Sequence, residues 1–259
     1  MKKPIVLTIA GSDSGAGAGI QADIKAIHAN GCYTTTVITA ITSQNTMGVV
    51  DIYELPLNVI ESQFMAVVED FDIKAIKIGM LGSRALIELV GELLNRVDAK
   101  VVIDPIISSS SKRAFLKCED LEFFKETLLK RAFLITPNID EIEILTGMKV
   151  SDSVSMREAC MSLGGDILLK GAHLDGDLIV DLLYLGGEFF EFSHNRVDSK
   201  NTHGTGCTLS SSICCYVARD YGLFDSCKES IDYQIDAINK AYDTGSGSGS
   251  LNHFFMLDV

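Results

Sequence analysis

Six short apolar runs recur along this chain, at Ile5–Ala10, Thr35–Ala40, Ala75–Ile78, Val101–Ile103, Phe133–Thr136 and Ile167–Lys170, each separated from the next by a longer amphipathic stretch. Runs of that length read as buried strands, and strands spaced this far apart need crossover connections. The pattern predicts a mostly parallel central sheet covered by helices, a three-layer α/β fold. Helices are expected at Gly19–Ala29, Leu57–Phe71, Ser83–Val97, Leu121–Lys130, Ile139–Thr146, Ser155–Leu163, Thr208–Tyr221 and Ser226–Tyr242. After Lys170 the rhythm changes. Leu178–Leu185 and Glu188–Phe192 straddle Gly186-Gly187, a hairpin signal that predicts an antiparallel edge.

No linker divides the 259 residues, so the expectation is one domain over 1–259, burying roughly three quarters of the chain's surface. Seven cysteines without close paired spacing fit reduced thiols, and neither a disulfide framework nor a zinc cluster is expected. The opening Met1–Ala10 imitates a signal peptide, but its apolar run is short and runs into Gly11-Ser12-Asp13-Ser14; it reads better as the first strand. No segment is apolar for the ~20 residues a membrane span needs, so a cytoplasmic protein is expected. The net charge of −13 argues against nucleic acid as a partner, because phosphate neutralisation needs a basic face. Phosphate chemistry, if present, must be local.

The strongest local signal is Asn201-Thr202-His203-Gly204-Thr205-Gly206-Cys207-Thr208, a glycine-bearing turn that runs into an apolar helix-forming stretch. Glycines let backbone N–H groups turn towards one point, and the following helix adds unpaired N–H groups and the positive end of its dipole. An anion site and a thiol, Cys207, then share one place. Near the start, Gly15-Ala16-Gly17-Ala18-Gly19 follows the first strand but misses the dinucleotide fingerprint, since its third glycine comes one residue early. A dehydrogenase is poorly supported. Asp23 on the next helix is either within reach of a ligand or a solvated or capping acid.

At the other strand ends stand Asp104 before Pro105, Asn138 and Glu141 after Pro137, and Lys170 before Gly171. Carboxylates there suit Mg²⁺, which takes only one or two beside substrate phosphates, and Lys170 suits a polyphosphate. Each alone has a plainer reading as a helix-start acid, turn residue or solvated lysine. Their shared placement at strand C-terminal ends, where open α/β sheets bind ligands, is what joins them.

Taken in order, Ile9–Gly15, Gly17–Asp23, Thr39–Thr46 with Gln44, Lys77–Leu81 with Met80, Leu134–Asn138, Leu169–Gly171 with His173-Leu174, and Asn201–Thr208 resemble the hydroxymethylpyrimidine/phosphomethylpyrimidine kinases of thiamine biosynthesis. Those enzymes belong to the ribokinase-like superfamily. The resemblance covers nearly the whole chain, and it reassigns the linker-like Thr244–Ser250 to a glycine-rich segment ending in His253-Phe254. It implies ATP and Mg²⁺ as cofactors, a pyrimidine alcohol and its monophosphate as substrates, and a homodimer. By that resemblance Gln44 pairs with the aminopyrimidine edge while Gly11, Asp23, Met80 and Ile106 shape its pocket. Asn138, Lys170 and Thr202 meet ATP, Asp104 and Glu141 serve Mg²⁺, Gly204, Thr205 and Gly206 form the anion hole, and Cys207 is the base. The chain departs from the family pattern at Ala16, Ser43, Ser246 and Ser250. It also lacks a glycine at Lys112 in Ser108–Arg113, which puts closure of that segment in doubt. Pyridoxal kinase is the neighbouring alternative, because that vitamin also carries a hydroxymethyl group on a flat nitrogen heterocycle; Gln44 and Met80 favour the pyrimidine. A vitamin-binding protein without turnover is the alternative from another class.

Overall fold

The computed structural model describes residues 3–107, 115–171 and 176–257. Chain order is β1 (Ile5–Asp13), α1 (Gly19–Ala29), β2 (Tyr33–Asn45), β3 (Gly48–Glu54), α2 (Leu57–Val68), β4 (Ile73–Ile78), α3 (Arg84–Leu93) and β5 (Lys100–Ile103). It continues through α4 (Leu121–Thr127), β6 (Leu134–Ile135), α5 (Ile139–Thr146), α6 (Ser153–Leu163), β7 (Ile167–Leu169), β8 (Leu178–Leu185), β9 (Glu188–Asn195), α7 (Thr205–Ala218) and α8 (Leu223–Asn239). The strands form one sheet in the order β3-β2-β1-β4-β5-β6-β7-β8-β9.

Successive strand residues feed opposite faces, and the sheet uses both. Leu7, Ile76, Ile103, Ile135 and Leu169 join Phe64, Ile87, Val90 and Ile142 in one core. Their strand neighbours Val6, Ala75, Val102, Leu134 and Leu168 join Ile27, Leu209, Ile213 and Ile231 in the other. Two cores divided by a sheet with alternating side chains are the three layers the apolar runs predict. The β2, β1, β4, β5, β6 and β7 pairs are parallel. The hairpin β8–β9 adds the expected antiparallel edge.

The opposite edge is antiparallel too, which the apolar runs do not predict. β2 runs on past Ala40 to Asn45 and returns as β3. Gly48–Glu54 alternates poorly and leaves Val50 and Tyr53 exposed, so it carries no buried-strand signature. Helix α7 begins at Thr205, three residues before the expected start, with Gly204 as N-cap in the left-handed region. The Ser108–Arg113 segment and His173-Leu174 lie outside the described residues.

From β1 the chain passes first to β2 on one side and later to β4 and β5 on the other, so the order reverses beside β1. A crevice at the carboxyl ends of the strands at such a reversal is where ligands bind in open α/β sheets. That edge carries Gly11, Met80, Asp104, Asn138 and Lys170.

Candidate active site

The loop after β1 is organised by Asp13, a residue to which the sequence alone assigns no role. Asp13 Oδ1 accepts from the Gly15 amide at 2.8 Å, and Oδ2 accepts from Gly17 and Ala18 at 3.0 and 2.8 Å. The His203 Nε2 lies 2.9 Å from the same Oδ2. Burial pushes this carboxyl up, but His203 and the amides of Ala18 and Gly15 outweigh it and hold Asp13 below its ordinary value. The loop therefore wraps its donors around a carboxylate of its own, and those amides are not free for a dinucleotide phosphate.

A second glycine turn docks onto this loop. Gly204 has φ +87°, and a Cβ there would stand 1.8 Å from the Gly17 carbonyl oxygen. A Cβ on Gly17 would stand 2.2 Å from His203 Cδ2. Gly204 leaves room for the Gly17 backbone, and Gly17 leaves room for the His203 ring. The docking sets the first turn of α7, where Thr205 donates to the Thr202 carbonyl at 3.3 Å and Thr208 to that of Gly204 at 2.9 Å. Between them the amides of Gly206 and Cys207 meet no acceptor among the described residues. Free first-turn amides at a helix N-terminus are an anion site.

Opposite that turn sits a buried charge cluster. Lys170 Nζ donates to Asp104 Oδ1 at 3.0 Å and lies 3.9 Å from Glu141 Oε2, with side-chain exposures of 14%, 2% and 8% for Lys170, Asp104 and Glu141. Burial works against the Lys170 charge, but Asp104 and Glu141 outweigh it and keep the ammonium above its ordinary range. Burial pushes the Glu141 carboxyl up to about 7; Lys170 opposes that rise and Asp104 adds to it. Glu141 is also half of a capping box. It accepts from the Asn138 amide at 2.8 Å while its own amide donates to Asn138 Oδ1 at 2.8 Å. Thus the helix-start and ligand readings of Asn138 and Glu141 are compatible. A Cβ on Gly206 would lie 3.4 Å from both Asp104 Oδ2 and Lys170 Nζ, which places the anion site directly against the cluster.

Cys207 is 7% exposed, and burial pushes its thiol up to about 11; Lys77 counters this in part, while Asp23 and Asp104 add to it. Asp23 differs from expectation. Its carboxylate is fully buried, accepting from Lys77 at 3.0 Å, Thr8 Oγ1 at 2.6 Å and Ser211 Oγ at 2.7 Å. It is neither solvated nor a wall of the pocket; it ties α1, β1, β4 and α7 together beneath Cys207. Lys77 is the missed partner, and a lysine inside the apolar run Ile73–Ile78 is its signal, since a buried charge needs a counter-ion.

On the substrate side, Gly11 lies under Met80, whose Cε would be 2.7 Å from a Cβ at position 11. Met80 is buried and Ile106 half-buried. A cavity of about 370 Å³, lined in part by Thr39, Ile52 and Phe115, opens beside Met80. Gln44 reaches back from the end of β2 to His203, 2.9 Å away. The C-terminal glycine segment closes this corner, with Gly247 donating to Thr46 Oγ1 at 3.1 Å and Ser248 to the Thr46 carbonyl at 3.1 Å. Thr202 is exposed at the rim.

Residues 13–252 match the family model for phosphomethylpyrimidine kinase. The chain is 42% identical over 258 residues to the hydroxymethylpyrimidine/phosphomethylpyrimidine kinase of Streptomyces coelicolor, covering 98% of this chain and 96% of that protein. Among solved structures, the phosphomethylpyrimidine kinase of Clostridium difficile 630 superposes with a TM-score of 0.80 at 40% identity, covering 91% of this chain and all of that one. The pyridoxal kinase of Staphylococcus aureus in complex with ADP superposes with a TM-score of 0.91 at 29% identity, covering 100% of this chain and 96% of that one. The overall shape is thus shared by both kinds of kinase, while sequence identity is higher to the pyrimidine enzymes. With a match from Asp13 at the end of β1 to Asn252 beyond α8, and 42% identity over 258 residues to a curated member, the chain belongs to the phosphomethylpyrimidine kinase family.

Proposed function

We propose that the protein uses Mg·ATP to phosphorylate 4-amino-5-hydroxymethyl-2-methylpyrimidine and then its monophosphate, giving the diphosphate from which thiamine is built. The carrying observation is the meeting at Gly206 of unpaired amides with the Lys170 ammonium. Phosphoryl transfer asks a protein chiefly for positioning and for charge stabilisation around the transferred group. The amides of Gly206 and Cys207 supply donors from one side and Lys170 a cation from the other. Gln44, Met80, Gly11 and Ile106 hold the ring; Asn138 and Thr202 stand towards the nucleotide.

The donor set fits Mg²⁺. Asp104 and Glu141 are hard oxygen ligands sharing a single lysine, and Glu141, held near neutrality by burial, has charge to gain from a cation. Bound with ATP, the ion would neutralise charge on the phosphates. Cys207, as its thiolate, would take the hydroxyl proton, a secondary contribution because burial pushes the thiol up to about 11. Asp23 and Lys77 act from below by fixing α7 against α1.

The protein works in the cytoplasm as a homodimer; the exposed β2–β3 hairpin supports self-association. No described helix is long and apolar enough to cross a membrane. Pyridoxal phosphorylation is the second reading, favoured by the higher TM-score to the Staphylococcus aureus enzyme. Parallel product assays with ATP and the pyrimidine alcohol, its monophosphate, or pyridoxal decide the matter. Both pyrimidines should be turned over with higher kcat/KM than pyridoxal; a preference for pyridoxal reverses the reading.

A further inference from the structure

We propose that His203, braced by Asp13, is a positioning residue that fixes which way the Gln44 amide faces and thereby the orientation in which an aminopyrimidine ring is held. This role rests on the reading of Gln44 as the group that pairs with the ring. Asp13 Oδ2 already collects the Gly17 and Ala18 amides, and an ionised carboxylate only accepts, so the His203 Nε2 at 2.9 Å must carry a hydrogen. One terminal atom of the Gln44 amide lies 2.9 Å from that same Nε2. As placed, that atom is the amide nitrogen, which would set donor against donor; turning the amide over puts its carbonyl oxygen there, sharing the single Nε2 hydrogen with Asp13.

The other end of the amide agrees. Thr42 Oγ1 donates to the Ser12 carbonyl at 3.0 Å, leaving its lone pairs to accept, and it lies 3.2 Å from the second terminal atom of Gln44. That atom is then the NH₂. Oxygen and nitrogen of an amide are assigned from such networks, and the turned assignment gives Asp13, His203, Gln44 and Thr42 a donor or acceptor each without a donor–donor contact. His203 itself has little freedom. Its ring lies against Gly17, where a Cβ would approach Cδ2 to 2.2 Å, and its amide donates to the Gly249 carbonyl at 3.1 Å.

With both ends committed, Gln44 retains one acceptor site on the His203 side and one donor on the Thr42 side. A 4-aminopyrimidine edge offers the complement, an exocyclic N–H beside a ring nitrogen. The amine is drawn to the His203 side. The hydroxymethyl group is borne by the next ring carbon, on the side away from that ring nitrogen, so it is carried towards the turn that directly follows His203. Reversal of the Gln44 amide would reverse this preference. Pyridoxal has no such edge, so His203 should matter less for it.

The test uses the full-length enzyme with four variants, His203→Ala, His203→Gln, Gln44→Ala and the double His203→Ala/Gln44→Ala. KM and kcat are measured for the pyrimidine alcohol, pyridoxal and ATP. His203→Ala should raise the pyrimidine KM roughly 10- to 100-fold, with less than about a twofold change for ATP. His203→Gln, which keeps a donor, should recover most of that loss. In the double variant, removal of His203 should add nothing to Gln44→Ala. Full additivity, or parallel losses for ATP and pyrimidine, would show a clamp between the two loops and overturn the proposal. Nitrogen-15 NMR of the ligand-free protein gives a readout independent of turnover and of the substrate assignment. A protonated Nε2 on His203 is expected, and a bare Nε2 overturns the proposal even if every variant folds poorly. A wild-type enzyme that ignores the pyrimidine while showing protonated Nε2 would fault the substrate reading instead, and the orientation of the ring would fall with it.

Discussion

At the scale of single residues, the proposed mechanism divides the work unequally between Cys207 and Gly206. A thiol pushed up to about 11 by burial is almost wholly protonated at neutral pH, and its thiolate fraction rises tenfold per pH unit up to that value. Cys207→Ala should therefore keep measurable turnover near pH 7 and lose the wild-type increase in rate with rising pH. Gly206 is different: an alanine methyl would just fit at 3.4 Å from Asp104 and Lys170, and a branched side chain would not. Gly206→Val should slow single turnover more than Cys207→Ala, since loss of one donor in comparable sites costs ~3–4 kcal/mol. A folded Gly206→Val enzyme faster than Cys207→Ala would make the thiol the principal group. Glu141→Gln keeps the capping acceptor and removes the charge, so the fold should survive while the Mg²⁺ concentration for half-maximal activity rises. Unchanged Mg²⁺ dependence at subsaturating metal would leave Glu141 as a cap alone. Much of this cluster is legible in the sequence because Asp104, Asn138 and Lys170 each stand where a strand ends. The roles of Asp13 and His203 are not, since a side chain that bonds its own loop and one 190 residues distant leaves no periodic trace.

Among the elements, the joint between the β1–α1 loop and the start of α7 is the least forgiving. Gly147 and Gly204 both sit in the left-handed region, with φ +73° and +87°, but only at Gly204 does a Cβ meet another backbone; at Gly147 nothing lies within 4 Å. Gly147→Ala should cost about 1 kcal/mol from backbone strain, and Gly204→Ala well over twice that, read as urea midpoints at constant slope. Equal costs would mean that the loops can part without penalty. Asp13 adds a pH signature. Its folded-state ionisation lies below the ordinary value of 3.8, so its stabilisation is full above that value and is lost as pH falls through the lower one. Asp13→Asn turns an NH₂ or a poorer acceptor towards three amides, and the gap from wild type, about 2–4 kcal/mol at pH 7, should narrow only as pH falls below 3.8. The same joint explains why sequence pattern places the helix start three residues late. Thr205-Gly206 has weak helix propensity, and what folds it into α7 is the docking of Gly204 on Gly17, a tertiary contact that overrides propensity.

For the molecule as a whole, the sheet has two edges, and β3 is the exposed one that needs an explanation. Val50 and Tyr53 are 75% and 64% exposed, and Met47 in the preceding turn is 73% exposed. Val50 sits at an irregularity in the β2–β3 pairing and Tyr53 beyond it, and both leave apolar side chains uncovered along this edge. An unpaired edge of this kind invites strand pairing or burial against another chain. Each chain carries a net charge of −13, so two copies repel at low ionic strength. A homodimer closed by this hairpin should therefore tighten as salt screens that repulsion, whereas one held by ion pairs would loosen. Val50→Asp with Tyr53→Asp should give a monomer by sedimentation velocity at concentrations where wild type is dimeric. The consequence reaches the site, because Gln44 lies at the tip of the hairpin and the adjoining turn holds Thr46 against the C-terminal glycine segment. If the proposed homodimer uses this edge, loss of the partner should loosen that end of the pocket and raise the pyrimidine KM, with ATP, proposed to bind across β5 to β7, little affected. A double variant that stays dimeric would place the interface elsewhere, and a monomer with wild-type pyrimidine KM would show that Thr46, Gly247 and Ser248 alone hold the hairpin in register.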